Sequence, residues 1–315
     1  MRILFVAPTY MGLCKNIEDE LVRQKHDVVF IKDKPLLFNY RFQYHHNFLV
    51  KVRNQILKIL SWIFVDYENY WDKQLNRLSD LYFDVLFVIN GFSYDHSLLL
   101  KLQQHNPQIN TRLYLWDNIY AYDFSNVVDD FETCFSLDYL DSIKYDKIDF
   151  LPAFWVDNNH REKICYDVFL VGSNHDDRYY ISKRVVKQLR SFGLTYYIKL
   201  IDRFKLKNDI ITHNYLSTNK YLKVMRMSKC ILDTERPSQT GPTFRLIWAL
   251  ALGKKIISTN RYMKEMPFYN ERQILIIDRK NPQIDKEFLS EEIDFSPCEY
   301  IVSLRIDNWV KTILK

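Results

Sequence analysis

Short apolar runs of five or six residues alternate with helix-patterned stretches, and the alternation restarts midway along the chain. Residues 2–7 read as a buried strand, 15–24 as a helix and 27–31 as the next strand. A further apolar run at 84–89 ends in Asn90-Gly91, a helix is expected at 97–105, and a strand at 112–116 ends at Asp117. Strand–helix–strand alternation of this kind requires a parallel sheet covered by helices on both faces. In such sheets ligands lie beyond the carboxyl ends of the strands, which are here the loops 8–12, 90–95 and 117–122. After Leu151-Pro152 the pattern begins again. A strand at 166–171 ends in Gly172-Ser173, a helix follows at 178–190 and a strand at 196–201. A helix at 221–227 and a strand at 230–233 follow, and 298–315 looks like a closing helix. The expected architecture is α/β with two Rossmann-like domains, 1–156 and 157–315, facing across a cleft. The last helix is expected to pack back on the first domain.

Composition narrows the function classes. A chain of 315 residues is too long for one small core and suits two domains. Six glycines and nine prolines leave no room for linkers or low-complexity tracts. No apolar run reaches the roughly 20 residues a membrane span needs. The opening Met1-Arg2-Ile3-Leu4-Phe5-Val6 resembles a signal peptide, but Pro8, Tyr10 and Lys15 interrupt it and no small-residue cleavage site follows. Five scattered cysteines with no Cys-x-x-Cys pair read as reduced thiols of a cytoplasmic protein. A net charge of +5 suits a phosphate-bearing ligand or an acidic surface and is too weak for nucleic acid.

The most informative stretch is 233–260, DTERPSQTGPTFRLIWALALGKKIISTN. A strand ends near Asp233, a polar loop follows, and Gly241-Pro242 is expected to open a helix, since proline suits the first helical position. The helix should stop at Gly253. Between 242 and 252 only Arg245 is charged, so a mostly buried helix carries one guanidinium in its first turn. That cation needs an anion. A diphosphate held by the helix N-terminus, with Gln239, Thr240 and Thr243 as neutral donors, is one solution. An internal carboxylate, Asp233 or Glu235, is the other.

This strand–loop–Gly–helix–Gly-Lys-Lys–strand pattern resembles the donor half of GT-B glycosyltransferases, in the bacterial group 1 branch of capsule, lipopolysaccharide and spore-coat gene clusters. Tyr166-Asp167-Val168-Phe169-Leu170-Val171-Gly172-Ser173 with Arg178 after it is similar to the same branch. So are Phe150-Leu151-Pro152, Ser258-Thr259-Asn260 and Phe268-Tyr269. The resemblance covers most of 150–290 and is fainter before it. It implies a metal-independent transferase that moves a sugar from a nucleotide-sugar donor to a glycan or lipid-linked glycan acceptor. No cofactor beyond that co-substrate is implied. Gly172, Ser173, Arg178, Gln239, Thr240, Gly241, Thr243 and Arg245 are the implied donor-binding residues. Many relatives place two glutamates where Thr240 and Trp248 stand here, so the ribose contact and the retaining geometry are not carried over. That departure keeps open a non-catalytic module that binds a nucleotide sugar or a partner without turnover.

An inverting reaction needs a base for the acceptor hydroxyl. Asp117, at a strand end, is the first candidate; Asp95 and His96, after Asn90-Gly91, are the others. Each also reads as an ordinary solvated loop residue. Gly172 and Arg178 likewise read as a strand-ending glycine and a surface arginine. No Asp-x-Asp pair, Gly-x-x-x-x-Gly-Lys loop, Gly-x-Gly-x-x-Gly fingerprint or Gly-x-Ser-x-Gly elbow occurs. His45-His46 have no cysteine cluster beside them, so no metal site is expected. Residues 48–64, FLVKVRNQILKILSWIF, mix Lys51, Arg53 and Lys58 with aliphatic residues. They suit either an interfacial helix on the cytoplasmic face of a membrane or a core helix on the sheet.

Overall fold

The computed structural model describes residues 1–8, 12–33, 56, 70–78, 81–92, 94, 96–156, 162–202, 204–291 and 295–315. The segment 48–64 therefore lies outside the described residues except for Ile56, and Asp95 lies outside them too. The chain divides into two units, Met1–Leu151 with Ile306–Lys315, and Pro152–Arg305. The break falls at Leu151/Pro152 rather than at 156.

Unit 1 holds β1 (Arg2–Ala7), β2 (Asp27–Lys32), β3 (Val85–Ile89), β4 (Asn110–Leu115), β5 (Thr133–Ser136) and β6 (Ile148–Phe150). They form one parallel sheet in the order β2-β1-β3-β4-β5-β6. The strand order reverses between β1 and β3. Strict alternation decides what each face carries. Leu4, Val6, Leu86, Val88, Leu113 and Leu115 join the core under the helix His96–His105 through its Leu98, Leu99 and Leu102. Residues in between point the other way. Phe5 pairs in register with Phe87, and their rings stack at 5.0 Å.

On that second face sits the helix Ile306–Ile313. Its Trp309 is fully buried, edge-on to Tyr114 at 4.8 Å and 6.5 Å from Phe87. Gln24, at the end of the helix Leu13–Arg23, donates to the Asp307 carbonyl at 2.9 Å. The single closing helix expected at 298–315 is two helices. Glu299–Ser303 belongs to unit 2, and only Ile306–Ile313 belongs to unit 1.

Unit 2 holds β7 (Tyr166–Ser173), β8 (Tyr196–Ile201), β9 (Ile211–Thr212), β10 (Ser228–Asp233), β11 (Lys255–Ser258) and β12 (Ile274–Ile276). Its sheet is also wholly parallel, in the order β12-β11-β10-β7-β8-β9. Counted from β7 this is 3-2-1-4-5-6, the Rossmann order, with its switch point between β7 and β10. Val168, Leu170, Cys230, Leu232 and Ile257 pack under Ile181, Val185 and Leu189 of the helix Arg178–Ser191. On the opposite face Phe169 stacks on Tyr197 and meets the edge of Tyr221.

Trp309 carries the docking of the last helix on unit 1. Trp309→Ala is expected to cost about 3–5 kcal/mol, the usual range for emptying a buried tryptophan site. Urea unfolding of the full chain followed by circular dichroism measures it; a loss below about 1 kcal/mol would show that the helix is only loosely held.

Candidate functional site

In unit 2 the residues singled out from the sequence gather at the switch point, around the carboxyl ends of β7, β10 and β11. The helix after β10 is Phe244–Ala251, later than expected. Pro242 precedes it, and Thr243 is its N-cap. The Thr243 hydroxyl accepts the Leu246 N–H at 3.1 Å and donates to Asp233 Oδ1 at 2.8 Å. A threonine hydroxyl offers this helix end a bond that proline cannot, so the cap sets the boundary.

Arg245 meets an internal anion. Its Nε donates to Asp233 Oδ1 at 2.9 Å and its NH1 to the Val171 carbonyl at 3.0 Å. The two side chains are only 10% and 1% exposed. Burial pulls the Arg245 pKa down, but Asp233 and Tyr221 outweigh it and hold the group above its ordinary value. Of the two internal carboxylates open from the sequence, Asp233 is the one that pairs with it.

Arg178 is not a surface residue. It is 6% exposed. Its Nε donates to the Thr234 carbonyl and hydroxyl at 2.8 and 3.0 Å, its NH2 to the same carbonyl, and its NH1 to the Ser173 carbonyl at 2.8 Å. All of these acceptors are neutral. Burial, and then the neighbouring Arg245, pull its pKa down to about 9. The reason for glycine at 172 follows. A Cβ there would lie 2.9 Å from Arg178 NH1 and 3.3 Å from Arg245 NH1, so the missing side chain makes room for two guanidinium groups.

A second layer lies beside this one. Glu235 is buried and accepts from the Thr259 hydroxyl at 3.0 Å and from Arg279. Arg279 also grips Asp177 through two bonds of 3.0 and 2.7 Å, and the Glu235 carbonyl at 2.8 Å. Burial, then Asp233, raises the Glu235 pKa, while Arg279 and Thr259 work against the rise. Asn260 ties the loop after β10 to β11 by donating to the Thr240 carbonyl at 2.9 Å. Gln239 folds onto the Gly241 carbonyl at 3.3 Å, and Ser173 is exposed. Trp248 is half-buried, and its indole N–H donates to the Phe154 carbonyl at 2.9 Å.

Arg279 and Asp177 were not picked out from the sequence, and Glu235 only as one possible partner for Arg245. Arg279 sits in an unremarkable Asp278-Arg279-Lys280 loop, 44 residues from Glu235, and no local pattern marks it. Ser258-Thr259-Asn260 did carry a signal, through its resemblance to the GT-B donor half.

In unit 1 the ends of β3 and β4 come together through Asn90. Asn90 is fully buried with φ +59°, a left-handed backbone that asparagine tolerates better than most residues. Its Oδ1 accepts the Trp116 N–H at 2.9 Å and its Nδ2 donates to Asp117 Oδ2 at 2.6 Å. The Tyr122 hydroxyl donates to the Gly91 carbonyl at 2.7 Å. Asp141 Oδ2 accepts the Ile119 N–H at 3.1 Å, and Asp138 caps the helix that holds Asp141. Burial, and then Asp138, push the Asp141 carboxyl from 3.8 up to about 6. His96 is apart from this cluster. It is exposed and pairs with Asp130 at 2.7 Å.

Two wholly parallel six-stranded sheets with interleaved helices, one in the Rossmann order, define the GT-B fold class. Among solved structures the chain is similar to UDP-GlcNAc 2-epimerase from Neisseria meningitidis bound to UDP-GlcNAc. That match has a TM-score of 0.52 and 12% identity, covering 100% of this chain and 98% of that one. It is equally similar to another UDP-N-acetylglucosamine 2-epimerase, with TM-score 0.53, 12% identity and coverage of 100% and 94%. The calicheamicin glycosyltransferase CalG4 is more distant, with TM-score 0.41, 11% identity and coverage of 100% and 94%. No protein-family model matches the sequence, and no curated protein sequence matches it.

Two outcomes test this geometry. Arg245→Ala strands a buried Asp233 and is expected to cost about 3–5 kcal/mol of folding free energy in a urea titration; unchanged stability would place the charge of Asp233 elsewhere. Asp141 has a folded pKa above its unfolded one. Its contribution is therefore complete below pH 3.8 and is lost as pH rises through about 6. Asp141→Asn keeps the acceptor for Ile119 and should stabilise the chain by about 1–2 kcal/mol at pH 8, after allowance for solvent screening, and by nothing at pH 3.5. Melting curves across that range measure the difference; a gain independent of pH would mean Asp141 does not titrate there.

Proposed function

We propose that unit 2 binds the diphosphate of a nucleotide-activated sugar at the switch point between β7 and β10, with Arg178 as its cation. Arg178 is the observation that carries this reading. A buried guanidinium whose hydrogen-bond partners are all neutral oxygens, with Asp233 and Glu235 near but not bonded to it among the described residues, is costly to maintain, and a phosphate supplies a direct counter-charge. The site lies where Rossmann sheets bind their ligands. Arg245 is spent on Asp233, so its part is to hold β7, β10 and the helix Phe244–Ala251 in place around Arg178. The similarity to an epimerase bound to UDP-GlcNAc supports the class of ligand.

On this reading the chain is a glycosyltransferase that hands the sugar to a growing bacterial surface glycan. Asp117, its carboxylate oriented by Asn90, is the proposed base for the acceptor hydroxyl. The epimerase likeness favours one rival reaction, change of configuration within the nucleotide sugar itself.

Calorimetric titration with a panel of nucleoside diphosphates tests the binding site. Arg178→Met should weaken the best ligand by about 2–4 kcal/mol while the full-length protein keeps its melting temperature within a few degrees. A wild-type protein that binds none of them would falsify the assignment. Incubation with the matching nucleotide sugar then separates the reactions. Nucleotide released only with an acceptor means transfer, an epimeric nucleotide sugar means epimerisation, and neither means binding without turnover.

A further inference from the structure

After β8, the loop Asp202-Arg203-Phe204-Lys205-Leu206-Lys207 places two large apolar side chains in open solvent between lysines. Phe204 is 97% exposed and Leu206 89%. Asp202 Oδ1 accepts the N–H groups of Phe204 and Lys205 at 2.9 and 3.1 Å, and its Oδ2 accepts from Asn174 at 2.6 Å. The other acid of the loop, Asp209, is paired with Arg190 at 2.5 Å. Both carboxylates are thus engaged, and among the described residues Lys205 and Lys207 have no ion pair. The Lys205 ammonium stands 4.4 Å over the ring of Tyr179, which joins the loop to the first turn of the helix Arg178–Ser191. That helix exposes Lys183 and Lys187, one turn apart, and among the described residues neither pairs with a carboxylate.

We propose that this surface of unit 2 docks on an anionic lipid bilayer. Phe204 and Leu206 enter the headgroup region, and Lys205, Lys207, Lys183 and Lys187 face the anionic headgroups. Exposed apolar side chains interleaved with cations are the chemistry an anionic interface rewards, because one contact satisfies both. An RNA strand would use the lysines and could stack on Phe204, but it has no use for a solvated leucine. The net charge of +5 favours the same partner. This surface is separate from the switch point, so the inference does not rest on the nucleotide-sugar reading.

Vesicle co-sedimentation of the full chain tests it, with phosphatidylcholine vesicles containing or lacking 30 mol% phosphatidylglycerol (about one lipid in three, enough for a strong surface charge). The wild type is expected to bind the anionic vesicles selectively and to be released as salt rises. Phe204→Ser with Leu206→Ser should weaken partitioning by roughly tenfold. Lys183→Glu with Lys187→Glu should weaken it by at least about 25-fold, at about fivefold per lysine lost. All four side chains lie at the surface, so melting temperatures should not move. Absence of selective binding by the wild type overturns the proposal. So does full binding by the Phe204, Leu206 double variant, or loss of binding only on charge reversal at Lys51, Arg53 and Lys58. Binding to single-stranded RNA that the double variant retains, without vesicle binding, assigns the lysines to a nucleic acid and also overturns it.

Discussion

The buried ion pair between Arg245 and Asp233 is the interaction on which the organisation of unit 2 depends. It lies where three elements end: β10 supplies the carboxylate, β7 the Val171 carbonyl, and the helix Phe244–Ala251 the guanidinium. Thr243 shares the same carboxylate oxygen while it caps that helix. A pair so nearly dry adds little net stability by itself, since desolvation offsets much of the attraction. Its effect is specificity. Only one arrangement of the three ends satisfies both charges and the carbonyl, so the loop after β10 has one register.

The position of Arg178 follows from that pair. With Arg245 occupied, the second guanidinium lies against Gly172 and takes neutral oxygens of Thr234 and Ser173. Arg279 closes the far side through Asp177, directly before Arg178 in sequence, and through Glu235. Three cations and three carboxylates are thus distributed unevenly. Among the described residues Arg279 bonds two carboxylates and Arg178 bonds none, although Asp233 and Glu235 lie near enough to favour its charge. On the proposed reading, that uneven share, more than the number of charges, makes Arg178 the group offered to the diphosphate.

Unit 1 solves a similar problem with a single neutral side chain. Asn90 bridges two strand ends by taking the Trp116 N–H and giving to Asp117. The left-handed backbone that turns its amide toward β4 is one that asparagine adopts at modest cost. The carboxyl edge of this sheet therefore carries an oriented carboxylate at Asp117, in a loop that the sheet order marks as ligand-facing, and a buried one at Asp141, in the helix that follows β5.

Much of this was legible in the sequence. The runs at 2–7, 166–171 and 196–201 fell on strands because buried parallel strands read as continuous apolar blocks bounded by polar ends. The two-domain α/β class followed from the restarted alternation. The short strands β5, β6, β9 and β12 did not stand out, since two to four residues are too few for a period to show. Gly172, Arg178, Thr243 and Arg245 were read from the sequence as one donor-binding set, and the structure gathers them at one switch point. What surrounds them was decided by tertiary contacts alone. The sequence left Arg245 with two possible anions, and Arg178 as either a phosphate ligand or a surface residue. Glu235 and Arg279 lie 44 residues apart and meet only because β10 and β12 flank β11 in one sheet. Local pattern determines which residues form strands and which charge is buried in a helix. Which opposite charge meets it depends on strand order, a property of the whole sheet that no single segment encodes.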